Sequence, residues 1–126
     1  MLDVPGVLIT GGGDSRGKVE VYNPVSRHSC QLPDLPDLRH EHTLCGGLLC
    51  GGLQSASSCL LWDDHHHIFT TAEVTLLHHR KGHLCWAEDG GGVRLVGGNE
   101  YSDTTEYVGS AGEETTAGFN LEYRAE

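Results

Sequence analysis

Three times along this chain a short apolar run closes on a pair of glycines and a second apolar run follows. Val7-Leu8-Ile9-Thr10-Gly11-Gly12-Gly13 leads to Val19-Glu20-Val21-Tyr22. Leu48-Leu49-Cys50-Gly51-Gly52 leads to Cys59-Leu60-Leu61-Trp62. Val93-Arg94-Leu95-Val96-Gly97-Gly98 leads to Thr104-Thr105-Glu106-Tyr107. Counted from the last glycine of each set, the aromatic lies 9, 10 and 9 residues on, and successive glycine sets are 39 and 46 residues apart. A second element keeps the same beat. Arg39-x-x-His42 and Arg80-x-x-His83 stand 41 residues apart, and each precedes a Gly-Gly run. Short apolar runs ended by glycine read as strands and turns. A glycine pair allows positive φ and lets a neighbouring backbone come close. A single hairpin is marginal in water, so such units must stack to bury their faces. The expectation is an all-β chain of stacked four-stranded antiparallel sheets.

That register resembles the kelch-repeat β-propeller family, whose blade has an Arg-x-x-His strand, a strand ending in Gly-Gly, a strand ending in an aromatic and a fourth strand. Val19-Glu20-Val21-Tyr22-Asn23-Pro24 is similar to the third strand of such a blade, and Cys30-Gln31-Leu32-Pro33-Asp34-Leu35-Pro36 to the fourth and its exit. The fourth-strand Trp is replaced, with Cys30, Phe69 and Phe119 near its place, and Gly109 to Ala117 reads as a long loop. The resemblance implies one kelch-repeat domain over 1–126, with blades at about 6–38, 39–79 and 80–124. The first blade lacks its leading strand, so eleven strands are expected. Closed propellers have ~4–8 blades, so the ring is incomplete. The chain is then a piece of a longer propeller, one half of a homodimer that completes the ring, or an open wedge.

Charge narrows the function. The formal net charge is −10 with only eight Lys and Arg. Nucleic-acid binding rests on cations that neutralise phosphates, so it is excluded, as is attraction to an anionic membrane. No run approaches the ~18 apolar residues of a membrane span. No signal peptide is read at the start, and localisation stays open between extracellular and cytoplasmic. The chain lacks Gly-x-Ser-x-Gly, Gly-x-x-x-x-Gly-Lys and His-Glu-x-x-His, and Gly90-Gly91-Gly92 precedes a strand and so is no phosphate cradle. The reading is of a protein that is not an enzyme and takes no cofactor.

The kelch resemblance implies a protein-binding scaffold that meets an unidentified protein partner through the loops after the Gly-Gly strands. Those loops carry Asp14, Ser15 and Arg16, then Gln54 and Ser55, then Asn99, Glu100 and Tyr101. The alternative is a secreted metal- or carbohydrate-binding propeller related to copper oxidases. For it the metal candidates are His65 and His67, in Asp63-Asp64-His65-His66-His67, weighed against a plain polar turn. The repeated His42, His83, Arg39 and Arg80 are expected to hold blades together, the arginines by binding a carbonyl or carboxylate. Five cysteines is an odd count. Cys50 and Cys59 face each other if their strands pair, Cys30 and Cys45 are the second candidate pair, and Cys85 is left over. Five small buried thiols in a reducing compartment are the other reading.

Overall fold

The computed structural model describes residues 6–11, 17–52, 57–98 and 103–120. They form eleven strands: β1 (Val7–Thr10), β2 (Val19–Asn23), β3 (His28–Leu32), β4 (Thr43–Cys45), β5 (Leu48–Cys50), β6 (Ser58–Asp63), β7 (Ile68–Thr75), β8 (Leu84–Ala87), β9 (Val93–Val96), β10 (Thr105–Val108) and β11 (Thr115–Ala117). No helix occurs among the described residues. Every pairing is antiparallel between chain neighbours, which gives sheet A (β1-β2-β3), sheet B (β4-β5-β6-β7) and sheet C (β8-β9-β10-β11).

Local chemistry fixes the turns. Gly46 and Gly47 join β4 to β5 with φ of 55° and 81°, the doubly left-handed turn whose twist suits a two-residue hairpin. Two four-residue turns are copies of each other. Asn23 Oδ1 accepts the Val25 and Ser26 amides, and Asp63 Oδ1 accepts those of His65 and His66. Such short polar side chains stand in for the backbone in a turn. Arg27 and His67 close these turns at φ of 64° and 56°.

Sheet B is the middle layer. Along β5, Leu48 and Cys50 face one cluster with Val93, Leu95 and Val108 of sheet C, while Leu49 faces another with Val19 of sheet A. Cys59 and Leu60 divide the same way along β6. Successive strand residues point to opposite faces, so a sheet covered on both sides needs an unbroken apolar run. Leu48-Leu49-Cys50 and Cys59-Leu60-Leu61-Trp62 are such runs, and all of β5 is buried. Of Cys30, Phe69 and Phe119, only Phe69 is buried, and it packs against Trp62. Cys30 is exposed on β3, and Phe119 lies exposed beyond β11. The expected loop from Gly109 to Ala117 is shorter, because Thr115–Ala117 pairs with β10.

Two disulfides form. Cys50 and Cys59 are direct partners in the β5–β6 register, as their flanking positions predicted. The second bond corrects the expectation of a Cys30–Cys45 pair: Cys45 joins Cys85, and Cys30 is free. The leading strands β4 and β8 of neighbouring sheets lie against each other and bring Cys45 and Cys85 to a Cα separation of 6.3 Å. Cys30 sits instead on β3, at the far edge of its sheet. By loop-closure entropy the 40-residue span contributes about 4 kcal/mol and the 9-residue span about 2.5 kcal/mol. Intact mass without reductant will be four hydrogens below the reduced mass, and peptide mapping will find Cys45–Cys85, Cys50–Cys59 and an alkylated Cys30.

Candidate functional site

The repeated residues converge where one sheet meets the next. Arg39 and Arg80 leave the linkers before β4 and β8, and both side chains are wholly buried. Arg39 donates to the Gly51 and Ser58 carbonyls at 3.1 and 2.8 Å. Arg80 donates to the Gly97 and Thr104 carbonyls at 2.7 and 3.3 Å. These are matching atoms, because Gly51 N–H bonds Ser58 O and Gly97 N–H bonds Thr104 O at the same strand end. Buried carbonyls must be bonded, and a guanidinium fork serves two at once. The expectation that these arginines bind carbonyls and carboxylates holds.

The charge partners differ. Arg39 pairs with Asp37, which is 40% exposed, at 2.8 Å. Arg80 pairs with Glu106 at 2.8 Å, and both side chains are fully buried. Burial alone would raise the Glu106 pKa. The Thr115 hydroxyl, the Leu77 amide and Arg80 outweigh it and hold the carboxyl below its usual range.

Histidine closes each joint. His42 Nε2 meets the Thr10 hydroxyl and His83 Nε2 the Thr43 hydroxyl, both at 2.8 Å and both across a sheet boundary. The space is made by glycine. A Cβ on Gly51, at φ 70°, would collide with His83 and the Arg80 carbonyl, and one on Gly11 with His42 and the Arg39 carbonyl. Burial, aided by Arg80, pushes His83 down to about 4. Burial and Arg39 lower His42 in the same way.

The backbone also corrects the repeat register. Gly11, Gly51 and Gly97 are equivalent through their amide bonds to Lys18, Ser58 and Thr104. Eleven residues from each lie Tyr22, Trp62 and Val108, so the match for Trp62 in sheet C is Val108, not Tyr107. Alignment on aromatics hid a second match. Glu20 and Glu106 each stand nine residues beyond their glycine, and that shared spacing is the signal sequence reasoning missed.

All eight expected loop residues, Asp14, Ser15, Arg16, Gln54, Ser55, Asn99, Glu100 and Tyr101, lie outside the described residues. The two metal candidates sit in the β6–β7 turn. His65 packs edge-on to His66, His67 stacks on Trp62, and His66 bonds Asp63 at 2.8 Å. That hydrogen bond comes first among the causes that hold the Asp63 carboxyl below its usual range. Among the described residues no three His, Cys, Asp or Glu side chains gather as a metal-binding group. No helix among them is long and apolar enough to cross a membrane. No protein-family model matches the chain, and no curated protein matches it.

Two measurements probe the joints. Arg80→Ala leaves Glu106 buried without its cation and will lower unfolding stability by about 3–5 kcal/mol, read as a reduced urea midpoint at unchanged slope. The second uses pH. Folded His83 stays neutral down to about 4, whereas the unfolded chain takes a proton near 6.5. Its contribution is therefore whole above pH 6.5 and is lost as pH falls toward 4, by roughly 3 kcal/mol. Urea titrations across that window will show the loss, and His83→Gln will flatten it.

Proposed function

We propose that this chain is a kelch-type repeat scaffold that binds another protein through the segments following its Gly-Gly strands, and that it neither catalyses a reaction nor takes a cofactor. One observation carries the reading. Each segment leaves and re-enters its sheet at an equivalent backbone bond, Gly11 to Lys18, Gly51 to Ser58 and Gly97 to Thr104. The joints set these openings in series, since His42 packs on Gly11 and His83 on Gly51. Variable segments on a repeated rigid frame are a common basis for recognition. The net charge of −10 favours a partner with a basic face.

The test replaces 99–102 by Gly and Ser in one variant and 12–16 in another, with circular dichroism melting to confirm the frame. A saturable protein partner recovered by the wild type will bind either variant at least about tenfold more weakly. A partner set unchanged in both variants would remove the loop reading. Stoichiometric copper or zinc in the wild type, lost on replacing His65 and His67 by Ala, would favour the metal-binding alternative.

A further inference from the structure

The two disulfides lie in opposite settings. Cys50–Cys59 joins β5 to β6, the two central strands of sheet B, and both residues are fully buried. Apolar side chains of sheets B and C, Leu48, Val74 and Leu95 among them, pack in the same cluster. Cys45–Cys85 joins β4 to β8 instead. Each of these is the outermost strand of its sheet, paired through its backbone to β5 or to β9 alone among the described strands. Cys45 and Cys85 are only half-buried where they pack against that cluster, and the neighbouring Gly46, Leu84 and Trp86 are exposed. A thiolate cleaves a disulfide by direct attack on one sulfur, so access decides which bond is reached. An edge strand with few bonds also opens more readily than a central one. The inter-sheet bond is therefore open to attack from the folded state, whereas the hairpin bond is reached only by opening sheet B.

The inter-sheet bond is also placed to re-form. His83 Nε2 meets the Thr43 hydroxyl at 2.8 Å, and each of these residues stands two positions before its cysteine. Arg80 stays bonded to Gly97, Thr104 and Glu106, and its carbonyl accepts the Gly52 amide. None of these contacts passes through sulfur, so they keep the two thiols side by side after reduction. Groups held in place react far faster than the same groups free in solution.

We propose that Cys45–Cys85 is a reversible redox site that exchanges with small thiols of the glutathione class while Cys50–Cys59 stays closed. One glutathione thiolate attacks a sulfur of the pair; a mixed disulfide forms, and the other cysteine leaves as a thiolate and takes up a proton. A second glutathione thiolate attacks the glutathione sulfur of the mixed disulfide and releases the remaining cysteine, which is protonated in turn. Two glutathione thiols are thereby oxidised to one glutathione disulfide, and one protein disulfide is reduced to two thiols. Sheets B and C then keep their polar joint and lose their covalent link. The site goes beyond the loop reading and does not depend on it.

The test uses the oxidised full chain carrying Cys30→Ser, which removes the exposed free thiol as a third partner in exchange. Glutathione is added in native buffer, and the products are quenched in acid, alkylated and mapped. Cys45 and Cys85 will be labelled at least about tenfold faster than Cys50 and Cys59. The two-thiol form will keep its far-UV circular dichroism with a lower urea midpoint. Its β4 and β8 amides will exchange faster with solvent, and those of β5 and β6 will not. Glutathione disulfide, added without denaturant, will restore Cys45–Cys85 alone. Cys45→Ser/Cys85→Ser will fold and match the two-thiol form. Opening of Cys50–Cys59 first, or at the same rate, would overturn the proposal. So would a two-thiol form that unfolds outright, a reoxidation that needs prior unfolding, or an oxidised chain that lacks the Cys45–Cys85 bond at the outset.

Discussion

The Gly51 and Gly97 carbonyls sit at strand ends between packed sheets and have no route to bulk water. Leaving such a carbonyl unbonded costs about 1–3 kcal/mol. Arg39 and Arg80 each bring a planar fork that bonds two carbonyls and an acid together. The Arg80 backbone carbonyl meanwhile accepts the Gly52 amide of sheet B. One residue thus ties the backbone of one sheet to that of the next, and the order of the sheets depends on it.

The other recurring features of the repeat follow from this joint. An arginine can approach a strand end only where the neighbouring residue has no side chain, so Gly51 faces both the Arg80 carbonyl and His83. The histidine then fills the remaining gap and spends its Nε2 on a threonine of the preceding sheet. The Cys45–Cys85 bond works at the opposite edge of the joint, between the leading strands. Charge, hydrogen bonds and a covalent link therefore join sheets B and C besides their apolar contact, whereas among the described residues sheets A and B meet through an apolar cluster, the Arg39 linker and His42 with no disulfide between them.

The number of strands and their grouping into three, four and four were legible because local rules suffice for them. Glycine marks the turns, apolar runs mark the strands, and Asn23 and Asp63 announce matching turns. The structural duty of Arg39, Arg80, His42 and His83 was legible too, since two copies at one spacing imply a role in the repeat. The cysteine pairing was only half legible. Cys50 and Cys59 flank one hairpin, so register alone opposes them, while Cys45 meets Cys85 through the placing of whole sheets. The expected loop residues gave no signal beyond their position after a glycine pair.

Short-range chemistry in the sequence by itself determined the all-β class, the turns and the identity of the joint residues. Only the tertiary structure decided what those residues bond. Glu106 and Glu20 look alike as lone acids in apolar strands. Packing against sheet B buries one beside Arg80 and leaves the other facing an open cavity. The difference comes from neighbours far apart in the chain, because a carboxylate tolerates burial only where the fold supplies a cation and donors.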